Sequence, residues 1–142
     1  MAVAKAAPRR DDLPASPAAE QALIGCVLLD EWQVWGEVED ATIEAEDFFL
    51  PEHQAIWRAF RWLYERGTPI TVISTTHALG QIGALDAVDV WLGPPWTEPY
   101  LAQLEGETWS ATGCSVFAGM VRHYSRMRAP TARSSHRRVM AL

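Results

Sequence analysis

One stretch of the chain, residues 46–72, constrains the fold most because it encodes a long helix with a defined start and end. Pro51 suits the first turn, where the N–H that proline lacks has no helical partner. Apolar side chains then recur every three or four residues, at Ile56, Ala59, Phe60 and Leu63. Gly67 can adopt the left-handed cap, and Pro69 prevents continuation. The stretch therefore predicts a helix from Pro51 to Arg66 with one face in a core.

Aromatic side chains surround this apolar stripe. Trp57, Trp62 and Tyr64 flank it, and together the large residues wrap around much of the helix circumference. Two interpretations are open, because such rings can complete the edge of a core or face a partner, where Trp and Tyr dominate binding hot spots. We predict that these three side chains lie partly outside the core and belong to a protein-binding surface.

Helical patterns also occupy most of the sequence on either side. Ser16-Pro17 predicts the start of a first helix that ends near Leu29, and Asp30 can cap a short second helix. Residues 70–73 have the propensity of a strand, but the helical context favours a helix capped by Thr71 and ending at Gly80 or Gly83.

The second half of the chain is less regular. We predict a loop-rich segment over residues 88–99, a short helix over 100–104 and a last helix over about 112–128. The sum is an all-α domain, a compact bundle of five or six helices over residues 13–129. Residues 1–12 are expected to form a disordered arm, and residues 130–142 a basic, disordered tail or the start of a linker.

The charges are unevenly distributed along the chain. All 18 acidic residues lie at or before Glu107, whereas six of the 12 basic residues lie at or after Arg122. An acidic body does not suit phosphate binding, so we expect contact with DNA to be indirect, or weak and salt-dependent through the basic tail. A small nucleic-acid-binding protein remains open as a further alternative.

Several kinds of catalytic site are absent from the sequence. Lys5 is the one lysine, so no G-x-x-x-x-G-K-[ST] phosphate loop exists, and we predict neither catalysis nor a cofactor for this chain. Cys26, Cys114 and His123 have the spacing of no common zinc site, so no metal is expected. We predict that the two cysteines are buried free thiols and that the histidines lie at the surface.

Two acidic clusters, over residues 37–40 and 44–47, are expected to be solvated faces and helix caps rather than acid–base pairs. No run approaches the roughly 18 apolar residues of a membrane span, and no secretory signal is evident, so we expect a cytoplasmic protein that does not contact membranes.

Four segments carry a resemblance to a known family. They are residues 18–30 (AAEQALIGCVLLD), 46–53 (EDFFLPEH), 63–71 (LYERGTPIT) and 100–104 (YLAQL). In their order and spacing they resemble the N-terminal domain of DnaB-type bacterial and phage replicative DNA helicases. Ala118, Val121 and Arg122 fit the last helix of that domain. The resemblance extends over about residues 13–128.

The resemblance implies a helical domain that precedes a RecA-like ATPase. In this family the domain forms a collar of paired subunits and contacts the helicase-binding domain of primase. It therefore implies an interaction module that associates with itself, as a dimer or larger assembly, and binds primase or a helicase loader. From the position of the family's helical hairpin and the apolar stripe of the last helix, we predict contacts through Met120, Arg122, Tyr124 and Arg126.

The sequence departs from the family pattern in three places. Residues 91–96 (WLGPPW) replace a glycine-rich turn, Pro130 interrupts the second arm of the helical hairpin, and no ATPase domain follows. The chain is therefore either part of a longer helicase or a stand-alone protein from a phage or mobile element. In the second case it would be a regulator that binds or modifies a helicase collar.

Overall fold

The computed structural model describes residues 14–94, 96–108 and 113–128, and within these ranges all regular structure is helical. The α-helices are α1 (Pro17–Leu29), α2 (Glu31–Ala41), α3 (Pro51–Glu65), α4 (Val72–Gln81), α5 (Leu85–Leu92), α6 (Thr97–Glu107) and α7 (Cys114–Arg128). A short 3₁₀ helix, Ala45–Asp47, lies in the connection between α2 and α3. The all-α prediction is confirmed, with seven α-helices in the described part rather than five or six. The arm over residues 1–12 and the tail over 130–142 lie outside the described residues.

The helix starts follow the capping signals in the sequence. The Ser16 hydroxyl accepts a hydrogen bond from the Ala19 N–H at 3.2 Å, and Asp30 caps α2 in the same way. Thr71 and Ser74 bond reciprocally at the start of α4, so the choice of a helix over a strand there is confirmed. At the end of α3, Gly67 takes a φ of 67°, as the left-handed cap requires.

The prediction of irregular structure over residues 88–99 is wrong for most of that segment. α5 ends at Leu92, and α6 begins at Thr97 rather than Tyr100. The start of α6 is stabilised from outside its own sequence, because the Asp89 carboxylate accepts hydrogen bonds from the N–H and the hydroxyl of Thr97. This cap comes from the preceding helix, which a local sequence pattern does not reveal.

The core forms where α1 packs against α6 and α7 while α3 packs against α4 and α5. The predicted stripe of α3 lies in this core, since Ile56, Ala59, Phe60 and Leu63 are all buried. Gly25 allows the close contact between α1 and α6: a Cβ atom built there would lie 2.7 Å from the Leu104 carbonyl oxygen and would also clash with Thr108. The position therefore has no room for a side chain.

The prediction of two free thiols is wrong in the structure, although both cysteines are buried as expected. Cys26 of α1 and Cys114 of α7 form a disulfide, with their Cα atoms 6.3 Å apart. Helices α1 and α7 face each other, which brings together two residues 88 positions apart in the sequence. Both sulfur atoms are thereby bonded to each other, so the zinc ligand set considered from the sequence does not form.

Within the ranges that the structure describes, no helix is long and apolar enough to cross a membrane.

Candidate interaction surfaces

Helix α7 is fastened to the connection between α2 and α3 by polar side chains along one side. Arg122 donates hydrogen bonds to the Ala41 carbonyl and the Thr42 hydroxyl. The Ser125 hydroxyl donates to the Asp47 carboxylate at 2.8 Å, and Arg128 donates to the Asp47 carbonyl at 2.6 Å. These contacts fix the rotation of α7 about its axis and so decide which of its side chains face outward.

The outward side of α7 carries more apolar surface than the predicted residues alone. Val116 is 61% exposed and Met127 49%, and they share a side of the helix with half-buried Met120 and Tyr124. Together these four residues form the α7 stripe. Arg126 is exposed beside it. Of the predicted contact residues, Met120, Tyr124 and Arg126 thus lie at or near the outer face.

Arg122 has a different position from the one that the prediction requires. Its guanidinium is engaged with the end of α2, and the residue is half-buried. Its expected place on a free outer surface is wrong, because the hydrogen bonds that hold α7 in place occupy it. Two exposed residues, Val116 and Met127, were not among the predicted contact residues, although helical phase places both beside Met120.

The three aromatic residues of α3 that were predicted to face a partner are separated from one another. Trp57 is 1% exposed and packs against Trp35 and Phe48, so its predicted place outside the core is wrong. Trp57, in the second turn of α3, faces α2 and the connection between α2 and α3. These form a second wall of the core that periodicity on α3 alone cannot show. Trp62 is half-buried beneath the Arg66 guanidinium, 3.8 Å from the ring centroid.

Tyr64 is 46% exposed and stacks on Trp35 with 4.8 Å between ring centroids. It lines a groove with Trp32, whereas Trp62 lines a separate polar cleft of about 240 Å³ beside Glu44 and Arg58. Neither cavity has a residue of α7 in its wall. The predicted surface residues of α3 and α7 therefore do not form one continuous site.

A buried polar network lies at the start of α3. The Glu20 carboxylate of α1 accepts hydrogen bonds from the Phe49 N–H at 2.7 Å and from His53 Nδ1 at 2.8 Å. Nε2 of His53 lies 2.7 Å from the Tyr100 hydroxyl, which accepts a further hydrogen bond from Gln21. Because the carboxylate can only accept, Nδ1 carries a hydrogen. His53 is fully buried, so its expected place at the surface is wrong.

This network performs the capping that α3 lacks locally. The residue before the helix, Leu50, has no side chain that can accept a hydrogen bond, and its N–H points to Glu20 at 3.4 Å. A carboxylate at a helix N-terminus is also favoured by the helix dipole. Burial raises the pKa of the Tyr100 hydroxyl above its ordinary value of 10.0, opposed by the Gln21 hydrogen bond and reinforced by nearby Glu52 and Glu20.

One of the two acidic clusters is not a solvated face throughout. Asp47 is buried, accepts the Ser125 hydrogen bond and also caps the Glu44 N–H at 2.7 Å. The expectation of helix caps is confirmed for this residue, and the expectation of solvation is wrong because α7 covers it. No group of three or more His, Cys, Asp or Glu side chains within the described ranges is arranged to hold a metal ion.

Three of the four segments on which the family resemblance rests converge at the buried network. Glu20 comes from residues 18–30, His53 from 46–53 and Tyr100 from 100–104. A family model described as the DnaB-like helicase N-terminal domain matches residues 12–123. The chain belongs to this family. These three segments therefore have a structural role here, since they join three helices through a network with a fully buried centre at Glu20 and His53.

Similar proteins and a similar structure agree with this assignment. The chain is 32% identical over 117 residues to the replicative DNA helicase DnaB of Buchnera aphidicola, and 30% identical over 115 residues to that of Haemophilus influenzae. These matches cover 82% and 81% of this chain but 23% of each helicase. The crystal structure of the N-terminal domain of DnaB helicase from Mycobacterium tuberculosis superimposes with a TM-score of 0.72 at 26% identity, over 90% of this chain and 82% of that one.

Proposed function

We propose that this chain is an assembly and interaction module of a replicative DNA helicase. It associates with itself in the N-terminal collar and contacts primase or a helicase loader during DNA replication in the cytoplasm. The observation that carries the proposal is the family match over residues 12–123, together with relatives that are replicative helicases. The chain spans about a quarter of those relatives, so unwinding and ATP hydrolysis belong to the proposed parent activity rather than to these residues.

The α7 stripe is the surface that we assign to these contacts. Val116 and Met127 are exposed, Met120 packs against the core, and half-buried Tyr124 continues the row. Apolar side chains in a continuous row on a fixed helix suit association with another helix, because burying them removes apolar surface from water. Arg126 lies beside the row and can set orientation through charge. Arg122 supports the surface by holding α7 against α2.

The test is capture of the helicase-binding domain of a bacterial primase by immobilised protein. We expect Val116→Glu combined with Met127→Glu to abolish capture, since each places a charge within the apolar contact. Ser115→Glu is the matched control, because Ser115 is exposed in the same first turn of α7 but lies to one side of the stripe. Equal capture by the double variant and the wild-type protein, both correctly folded by circular dichroism, would contradict the assigned surface.

The same proteins distinguish a collar module from a stand-alone regulator. Added to a hexameric replicative helicase, a regulator that enters the collar inhibits unwinding at stoichiometric concentration, and the Val116→Glu/Met127→Glu variant does not. A module that acts within its own helicase leaves unwinding by the added hexamer unchanged.

A further inference from the structure

A groove between α2 and the end of α3 combines exposed aromatic rings with an acidic surround. Its walls are formed by Trp32 and Gly36 of α2, Tyr64 of α3 and Pro69 of the following turn, and Trp35 lies at its base. Trp32 is 93% exposed, which is unusual for the largest apolar side chain unless the ring contacts another molecule. The groove does not involve α7, so its function is independent of the collar proposal.

The groove is held open by contacts beneath and beside it. The Trp35 indole donates a hydrogen bond to Glu39 at 2.9 Å, and Arg61 donates to the same carboxylate oxygen at 3.0 Å. At the rim, the Glu31 carboxylate accepts the Ile70 N–H at 2.6 Å and ties the turn after α3 to α2. These bonds hold α2 against α3 and the following turn, and Tyr64 stacks on Trp35, so the Tyr64 side of the groove needs little ordering when a ligand enters.

The groove is large enough for individual side chains of a ligand but too small to enclose a whole cofactor. Its volume is about 220 Å³, below the roughly 300–1,000 Å³ of pockets that enclose a drug-sized molecule or cofactor. One or two side chains of a peptide fit such a space. A flat Trp face next to a Tyr and a Pro is the kind of surface on which proline rings and guanidinium groups stack.

The charge around the groove selects a cationic ligand. Residues 30–41, which cap and form α2, include five acidic residues and no lysine or arginine: Asp30, Glu31, Glu37, Glu39 and Asp40. Glu31 is the one charged residue among the described residues that line the groove. Arg61 of α3 pairs with one of these carboxylates, Glu39, and Arg66 donates to the Trp62 carbonyl and covers the Trp62 ring. The other four carboxylates form no ion pair among the described residues. Nucleic acid is disfavoured here because its phosphates would meet like charge.

We propose that this groove binds an extended peptide segment of a partner protein that contains proline and arginine. Proline stacks on Trp32 and Tyr64 in the polyproline conformation, which needs no internal hydrogen bonds and loses little entropy on binding. Arginine lies over the acidic face of α2, where its guanidinium pairs with carboxylates. The groove thereby supplies a second contact point, apart from the α7 stripe.

The probe is a labelled ten-residue peptide in which Pro and Arg alternate, followed by fluorescence anisotropy at about 50 mM salt. Control peptides alternate Ala with Arg and Pro with Glu. We expect saturable binding of the first peptide with a dissociation constant below about 1 mM, and binding of each control about tenfold weaker or less. If the Ala–Arg peptide binds as tightly as the Pro–Arg peptide, proline has no role in recognition. If the Pro–Glu peptide binds as tightly, the positive charge has none.

Two variants of the protein locate the binding. Trp32→Ala removes an almost fully exposed ring, and Gly36→Leu places a side chain in the groove where a Cβ meets no atom within 4 Å. We expect each substitution to weaken binding of the Pro–Arg peptide about tenfold or more. The Tm of Trp32→Ala should equal that of the wild-type protein. Ile73→Ala, which changes a side chain that is 74% exposed but outside the groove, leaves binding unchanged. Wild-type affinity in both groove variants, or displacement of the peptide by single-stranded DNA in a Trp32-dependent manner, would overturn the proposal.

Discussion

At the scale of single residues, Glu20 joins more of the structure than its place on α1 indicates. Its two carboxylate oxygens accept hydrogen bonds from the backbone at the start of α3 and from the His53 ring. The sequence identified the segments around Glu20, His53 and Tyr100 as carrying the family resemblance. It did not indicate that these three side chains contact one another. Glu20 and His53 are 33 positions apart in the sequence, and His53 and Tyr100 are 47 positions apart. Such contacts depend on how the helices pack, which no local pattern encodes.

Removal of the Glu20 carboxylate should therefore destabilise the folded protein. Glu20→Ala leaves two backbone N–H groups and the buried His53 ring without their acceptor, and we expect a loss of about 3 kcal/mol in the free energy of unfolding. Urea denaturation followed by circular dichroism measures it. Glu65→Ala, at an exposed position, is the matched control and should change stability by less than about 0.5 kcal/mol. A loss as small as that of the control would contradict the capping role.

Tyr100 gives the network a dependence on pH. Its pKa in the folded protein is raised above 10.0, mainly by burial, so the folded state holds the phenolic proton more tightly than the unfolded chain. The resulting stabilisation is complete below pH 10 and is lost as the pH rises through the folded-state pKa. We expect wild-type protein to exceed Tyr100→Phe by about 1–3 kcal/mol at pH 7, with the difference shrinking above pH 10. Urea titrations between pH 7 and 11 measure this, and a constant difference would contradict it.

At the scale of helices, the sequence determined those elements whose caps and apolar stripes are local. As predicted, α3 begins at Pro51 and ends just before Gly67, and Thr71 caps the start of α4. α5 was missed although Leu85, Val88 and Leu92 recur at helical spacing and pack in or against the core, because the Gly-Pro-Pro run at residues 93–95 favoured a loop. Trp57 was misplaced because two faces of α3 are buried, against different neighbours.

The packing of α1 against α6 predicts opposite effects of one substitution at two glycines. Gly25→Ala should destabilise by about 1–3 kcal/mol, because the added methyl group meets the Leu104 carbonyl and Thr108 and the two helices must separate. Gly36→Ala, with no atom within 4 Å of the new Cβ, should stabilise by about 0.5–1 kcal/mol through helix propensity. Thermal unfolding of both variants tests the pair, and a stabilising Gly25→Ala would refute the close contact.

At the scale of the whole molecule, one disulfide joins the first and last described helices. Cys26–Cys114 closes a loop of 88 residues, which restricts the unfolded chain and stabilises the fold. Disulfides are uncommon in a reducing cytosol. The proposed cytoplasmic role therefore requires that the packed core, in which both cysteines are buried, also persist with reduced thiols.

Reduction of the Cys26–Cys114 disulfide measures its contribution to stability directly. Dithiothreitol should lower the free energy of unfolding by about 2–4 kcal/mol while leaving the helical circular dichroism signal at 25 °C intact. A Cys26→Ala/Cys114→Ala variant should show the reduced value with or without the reductant. Identical unfolding curves for oxidised and reduced wild-type protein would argue against the disulfide.

The division of surfaces is the main consequence of the fold for function. The α7 stripe, the groove at Trp32 and the buried Glu20 network occupy separate parts of the molecule. Sequence reasoning placed Met120 and Tyr124 beside the first surface. It did not separate Tyr64 from Trp57, because that distinction depends on how α2 packs against α3. A module with two outer surfaces and a rigid interior suits the joining of several proteins.

Self-association through the α7 stripe is the central claim, and multi-angle light scattering across a concentration series from about 1 to 200 µM tests it most directly. We expect the wild-type mass to rise to that of a dimer or a larger assembly, and Ser115→Glu to behave in the same way. Val116→Glu/Met127→Glu should remain at the 15.8 kDa monomer mass with an unchanged helical spectrum. A wild-type protein that stays monomeric throughout, or a folded double variant that assembles as the wild type does, would contradict it.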